Sequence, residues 1–125
     1  MFKKFEEIEA WKLARELAKE IYQLTRTAGF AKDWGLKDQI QRAAVSIGSN
    51  IAEGFGRRGN KEFVKFLWIA KGSAAEVQSQ LYTAVDLSLV AKEQFDSLYN
   101  KTNLIQVMIF RLIESLSGEP ERRRV

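Results

Sequence analysis

Residues 36–56, LKDQIQRAAVSIGSNIAEGFG, read as a helix, yet between Asp38 and Arg57 the only formal charges are Arg42 and Glu53. A helix so poor in charge is rarely solvated on more than a narrow face. At helical spacing Leu36, Ile40, Ala43, Ala44, Ile47 and Ile51 share one side, as a core-facing stripe does. Beside it runs a polar stripe of Gln39, Arg42, Ser46, Ser49, Asn50 and Glu53, and the third side shows only Val45, Gly48 and Ala52 between Lys37 and Gln41. Such a helix needs partners on more than one side. Its own bundle supplies one set, and another copy of the chain is the economical source of the rest.

Around this segment the periodicity predicts three further helices and no strand. The first is expected from about Glu6 to Ala28, with Ala10, Leu13, Ala14, Leu17, Ala18, Ile21 and Leu24 inward. Gly29 is its expected stop, Phe30 and Trp34 of the connection are expected to plug the bundle end, and Asp33 to cap the second helix. The run GFGRRGN reads as a reversal in which Gly54, Gly56 and Gly59 permit positive φ and Asn60 caps the third helix. That helix is expected from about Lys61 to Leu87 and the last from about Lys92 to Ser117, the latter with Leu104, Val107 and Phe110 turned away from the core. Helices of about 22 to 27 residues span roughly 33 to 40 Å, matched lengths that suit an up-down-up-down four-helix bundle.

Composition agrees. The chain has 125 residues with one proline, 46% hydrophobic and 29% charged, which places it among globular single-domain proteins able to bury a core unaided. Residues 1–117 are expected to form one all-α domain, with 118–125 a frayed basic tail. The absence of cysteine removes disulfides and thiolate chemistry and suits a cytoplasmic location. There is neither a signal-peptide pattern nor an apolar run of membrane-spanning length, so no membrane partner is expected. The net charge of +4 is compatible with a polyanionic partner without requiring one.

The string QIQRAAVSIGSNIAEGFGRRGNKEFVKFLWIAKGSAAEVQSQLYTA, preceded by FEEIEAWKLARELAKEIYQLT, resembles the four-helix-bundle family associated with intervening sequences of bacterial large-subunit ribosomal RNA genes. The resemblance covers nearly the whole chain up to the tail. It implies a left-handed antiparallel four-helix bundle, commonly assembled as a homopentameric ring. A relative, the accessory variability protein of diversity-generating retroelements, is similar in fold and binds nucleic acid and a reverse transcriptase. For the intervening-sequence family itself the resemblance implies no biochemical activity. Two positions depart from its pattern: Gly48 stands where the family often has proline, and Ser88 where glycine often ends the third helix.

Two constellations are candidates for function. The polar stripe Arg42, Ser46, Asn50 and Glu53, with Ser73, Glu76 and Gln80 on the third helix, reads first as a hydrogen-bonded network that specifies assembly and second as a ligand or nucleic-acid contact. Arg42 and Glu53 lie about 16 Å apart along one helix, so each is expected to find its partner elsewhere. The basic turn Arg57, Arg58, Lys61 and Lys65 is a candidate phosphate-binding patch beside a helix N-terminus, against the plainer reading of a solvated turn. Trp11, Trp34, Trp68, Tyr22 and Tyr82 read as packing or interface anchors before base-stacking surfaces. With no histidine, a ferritin-like di-metal centre on Glu53, Glu62 and Glu76 is disfavoured, and no activated nucleophile stands out. The expectation is a non-enzymatic homo-oligomer without cofactor, metal or small-molecule substrate, acting as an RNA- or DNA-associated accessory or scaffold. The alternative is an assembly module with a protein client.

Overall fold

Apolar periodicity becomes four long helices and one short one in the structure, a computed structural model that describes residues 1–118. The expected tail, apart from Gly118, lies outside the described residues. A 3₁₀ turn at Phe5–Glu7 leads into extended Ile8, whose buried side chain anchors the start of α1, Glu9–Thr25. This helix stops short of Ala28. The Thr25 and Thr27 hydroxyls donate to the carbonyls of Tyr22 (3.1 Å) and Leu24 (2.7 Å), competing with the backbone where the helix gives out. Ala28–Ala31 then forms a single turn, α2, that contains Gly29 instead of ending before it.

Phe30 of that turn is fully buried, as a plug should be, but Trp34 is 79% exposed. The reason is helical phase. Asp33 caps α3, Trp34–Gly56, by accepting from the Leu36 N–H at 3.1 Å, and with Leu36 turned to the core Trp34, two positions earlier, faces the opposite way. Along α3, Leu36, Ile40, Ala43, Ala44, Ile47 and Ile51 are all buried.

The reversal after α3 takes only Arg57 and Arg58, because Gly54 and Gly56 still belong to the helix. Gly59 alone of the three has a positive φ, 79°. It opens α4, Gly59–Asp86, so the N-cap is Arg58 and Asn60 is a buried residue of the first turn instead of the cap. Gly54 serves closeness: a Cβ there would stand 2.6 Å from Phe66 Cβ and 3.1 Å from Phe63 Cδ1. At the far end of α4 the Leu89 N–H donates to the Ala84 carbonyl (2.8 Å) and the Ser88 N–H to that of Val85 (3.0 Å). These are the two bonds of a Schellman C-cap, and Ser88 holds the left-handed residue at φ 59°. The departure from glycine therefore leaves the turn geometry in place. The last helix, α5, spans Lys92–Ser117 as its periodicity predicts.

Among the described residues α1 packs on α3 and α5, and α4 packs on α3 and α5, while the backbones of the diagonal pairs α1–α4 and α3–α5 nowhere approach within 8 Å. Short connections between successive neighbours make this an up-down-up-down four-helix bundle. One apolar cluster fills its axis, including Leu17, Ile21, Ile47, Leu67, Leu81 and Ile105. Lys101 of α5 reaches Glu20 of α1 at 2.8 Å and Glu16 at 3.7 Å, tying first and last long helices together.

Candidate functional site

The polar stripe divides into a closed part and an open part. Ser46 of α3 and Ser73 of α4 share a hydroxyl–hydroxyl bond of 2.9 Å. The Asn50 amide donates to the Ser46 carbonyl (2.8 Å) and to its hydroxyl (2.9 Å). Ser73 is only 5% exposed, so this bond fixes the register of α3 against α4 inside the bundle. Arg42 and Glu53, by contrast, do not reach for distant partners. Each pairs within α3 or just beyond it: Arg42 donates to Asp38 at 2.9 Å and Arg57 donates to Glu53 at 3.0 Å. Both are exposed i,i+4 pairs, worth a few tenths of a kcal/mol, about 0.3 to 0.5.

Glu76 and Gln80 stand apart from that network. With Gln39, Arg42, Ala43 and Ser46 they line a groove of about 410 Å³ between α3 and α4. The Gln80 side-chain oxygen is buried without a hydrogen bond. Two further cross-helix amide bonds escape a reading by charge: Gln41 donates to the Thr25 hydroxyl (2.8 Å) and Gln106 to the Gln78 side-chain oxygen (2.6 Å). Nothing in the sequence sets these glutamines apart from their uncharged polar neighbours.

At the α3–α4 end, Arg57 is already engaged, with its guanidinium 5.0 Å from the Phe66 ring centre as well as on Glu53. Arg58, Lys61 and Lys65 are exposed and form no ion pair among the described residues. Three free cations thus share one end of the bundle, at the start of a helix whose dipole favours anions.

The α4–α5 side carries several exposed apolar groups. Trp68, Ile69 and Tyr82 of α4 and Leu104, Val107 and Phe110 of α5 are all exposed, with Trp68 meeting Phe110 edge-on at 6.1 Å. Tyr82 also joins Phe95 and Tyr99, and the side-chain hydrogen bond with Tyr99 holds its phenol above the ordinary tyrosine range, with repulsion between the two phenolates adding to it. The opposite side, between α1 and α3, is a shallow groove of about 330 Å³ lined by Trp11, Ala14, Ala18, Ala44, Gly48 and Ala52 among others. A Cβ at Gly48 would lie 3.5 Å from Trp11 Nε1, an ordinary contact. Trp11 itself is half-buried and meets Phe5 at 5.0 Å, so the structure uses it for packing.

Among the described residues no group of three or more acidic side chains is placed to hold a metal ion, and no helix is long and apolar enough to cross a membrane. No curated protein matches the sequence. Among solved structures, a protein of unknown function from the S23 ribosomal protein family of Bacteroides thetaiotaomicron VPI-5482 is similar, with 25% identity and a TM-score of 0.77 over 84% of this chain and 98% of that one. The model of the 23S rRNA-intervening sequence protein family matches residues 6–111, from the 3₁₀ turn before α1 into the last third of α5. A four-helix bundle whose sequence matches along nearly all of that length belongs to the 23S rRNA-intervening sequence protein family.

Proposed function

We propose that this protein is a self-assembling helical scaffold without enzymatic activity, a pentamer on the strength of the family resemblance, that associates with RNA through its α3–α4 end. The observation that carries the reading is the outer side of α4 and α5. Trp68 meets Phe110 across the two helices with Val107 one turn before it, all three exposed, and Ile69, Tyr82 and Leu104 are exposed elsewhere on the same helices, more large apolar surface than an isolated bundle has use for. Contact with a second copy removes it from water. Repetition by symmetry then brings several copies of Arg58, Lys61 and Lys65 into one assembly, and a patch too weak in a single chain becomes a multivalent one. The assembly works in the cytoplasm, in keeping with the cysteine-free sequence.

The test is sedimentation velocity of the purified chain followed by a salt titration of RNA and DNA binding. The wild-type chain is expected at a multiple of 14.3 kDa, and Trp68→Lys with Phe110→Lys at the mass of one chain. RNA retention is expected to fall steeply with salt and to be lost on Arg58→Glu with Lys61→Glu. A wild-type monomer removes the assembly reading, and salt-independent or absent retention removes the RNA reading.

A second reading has one observation in its favour: Arg57, the first cation of the basic turn, is taken up by Glu53 and Phe66. An assembly module with a protein client needs no more free charge than remains. An oligomer that fails to retain either nucleic acid at low salt supports that alternative.

A further inference from the structure

Arg57 opens the two-residue turn between α3 and α4, and its guanidinium is held from two directions. The Nε–H donates to Glu53 Oε2 at 3.0 Å, and the guanidinium carbon stands 5.0 Å from the centre of the Phe66 ring, within cation–π range. The first contact fixes one edge of the group and the second fixes its position over the ring. Glu53 takes only one of the five N–H groups. The edge that carries both amino groups has no partner among the described residues, and the side chain remains 49% exposed.

A guanidinium edge with two parallel N–H groups matches the two unesterified oxygens of a phosphodiester. A long side chain loses rotamer freedom when it grips a ligand, and Glu53 and Phe66 have already removed part of that freedom from Arg57. Arg58, Lys61 and Lys65 have no such restraint, since none of them forms an ion pair or lies over a ring among the described residues. They supply charge at this end of the bundle, whereas Arg57 supplies direction. We propose that Arg57 grips an RNA phosphate through its two amino groups, and that Glu53 and Phe66 are positioning residues that hold this fork ready. Glu53 acts in two opposed senses: its charge repels the phosphate and its hydrogen bond aims the fork. This inference rests on the RNA reading above.

The experiment is fluorescence anisotropy of a short single-stranded oligouridylate with the full chain across a salt series, comparing proteins of equal charge. Arg57→Lys keeps the cation, and with it an ion pair to Glu53, but has no fork. It is expected to bind about tenfold more weakly than the wild type, the scale of one charge-assisted hydrogen bond, at an unchanged salt slope. Glu53→Gln and Glu53→Ala lose the same charge, and only glutamine keeps an oxygen for the Arg57 Nε–H. Glu53→Gln is expected to bind about three- to tenfold more tightly than Glu53→Ala. Both positions are exposed, so helix content by circular dichroism is expected to stay unchanged. Arg57→Lys that binds like the wild type overturns the grip, and equal affinity of the two Glu53 variants overturns the positioning role; either result leaves RNA association standing. A wild-type chain that does not bind the oligonucleotide at low salt overturns this inference together with the RNA reading.

Discussion

Gly54 shows how one missing methyl group sets the approach of two helices. A Cβ there would stand 2.6 Å from the Cβ of Phe66, an atom that cannot swing aside. Gly54→Ala is therefore expected to destabilise the protein by about 1 to 3 kcal/mol through overpacking, measured as a lower midpoint of urea unfolding at an unchanged slope. In the sequence this glycine reads as part of a turn, because GFGRRGN carries every mark of one and nothing local distinguishes a residue needed for φ from one needed for close packing. Arg42 and Glu53 were misplaced for a related reason. Their separation along α3 hides the local solution, since Asp38 and Arg57, each four positions away, are close at hand. Ser46 and Ser73 read in the sequence as members of a network that specifies assembly, and the structure bonds them to each other within one bundle, a pairing that sequence alone does not name because every polar residue of the stripe is an equal candidate.

Element boundaries were legible where chemistry marks them. The bounds of α5 follow from its periodicity, and Asp33 announces the start of α3. The bounds of α1 are hidden, because its apolar period runs on through Ile8 and Ala28 while the backbone does not. The end of α4 is the more instructive case. Ser88 occupies a left-handed conformation that costs an L-residue about 1 to 2 kcal/mol and glycine nothing. Part of that gain is offset by the greater freedom of glycine in the unfolded chain. Ser88→Gly is accordingly expected to stabilise the protein by about 0.5 to 1 kcal/mol, seen as a higher melting temperature without change in helix content. The same helix ends beside exposed Leu87 and Tyr82.

For the molecule as a whole the cyclic order of helices has consequences for motion. The α3–α4 pair is joined by two residues, whereas the seam between α1 and α5 unites residues far apart in the chain, Glu20 and Lys101, separated by 81 positions. Bringing such distant segments together carries a loop-closure cost on the order of 4 kcal/mol, absent from the α3–α4 hairpin. Native-state hydrogen exchange is expected to show α1 amides exchanging through a partial opening that leaves α3 and α4 protected. Equal protection in all long helices would mean that the bundle opens only as one unit. If α1 does swing free, the vacated trough can accept the same helix from a neighbour, and a reciprocal trade of N-terminal segments would interlock two chains with no contact beyond those a lone bundle already makes.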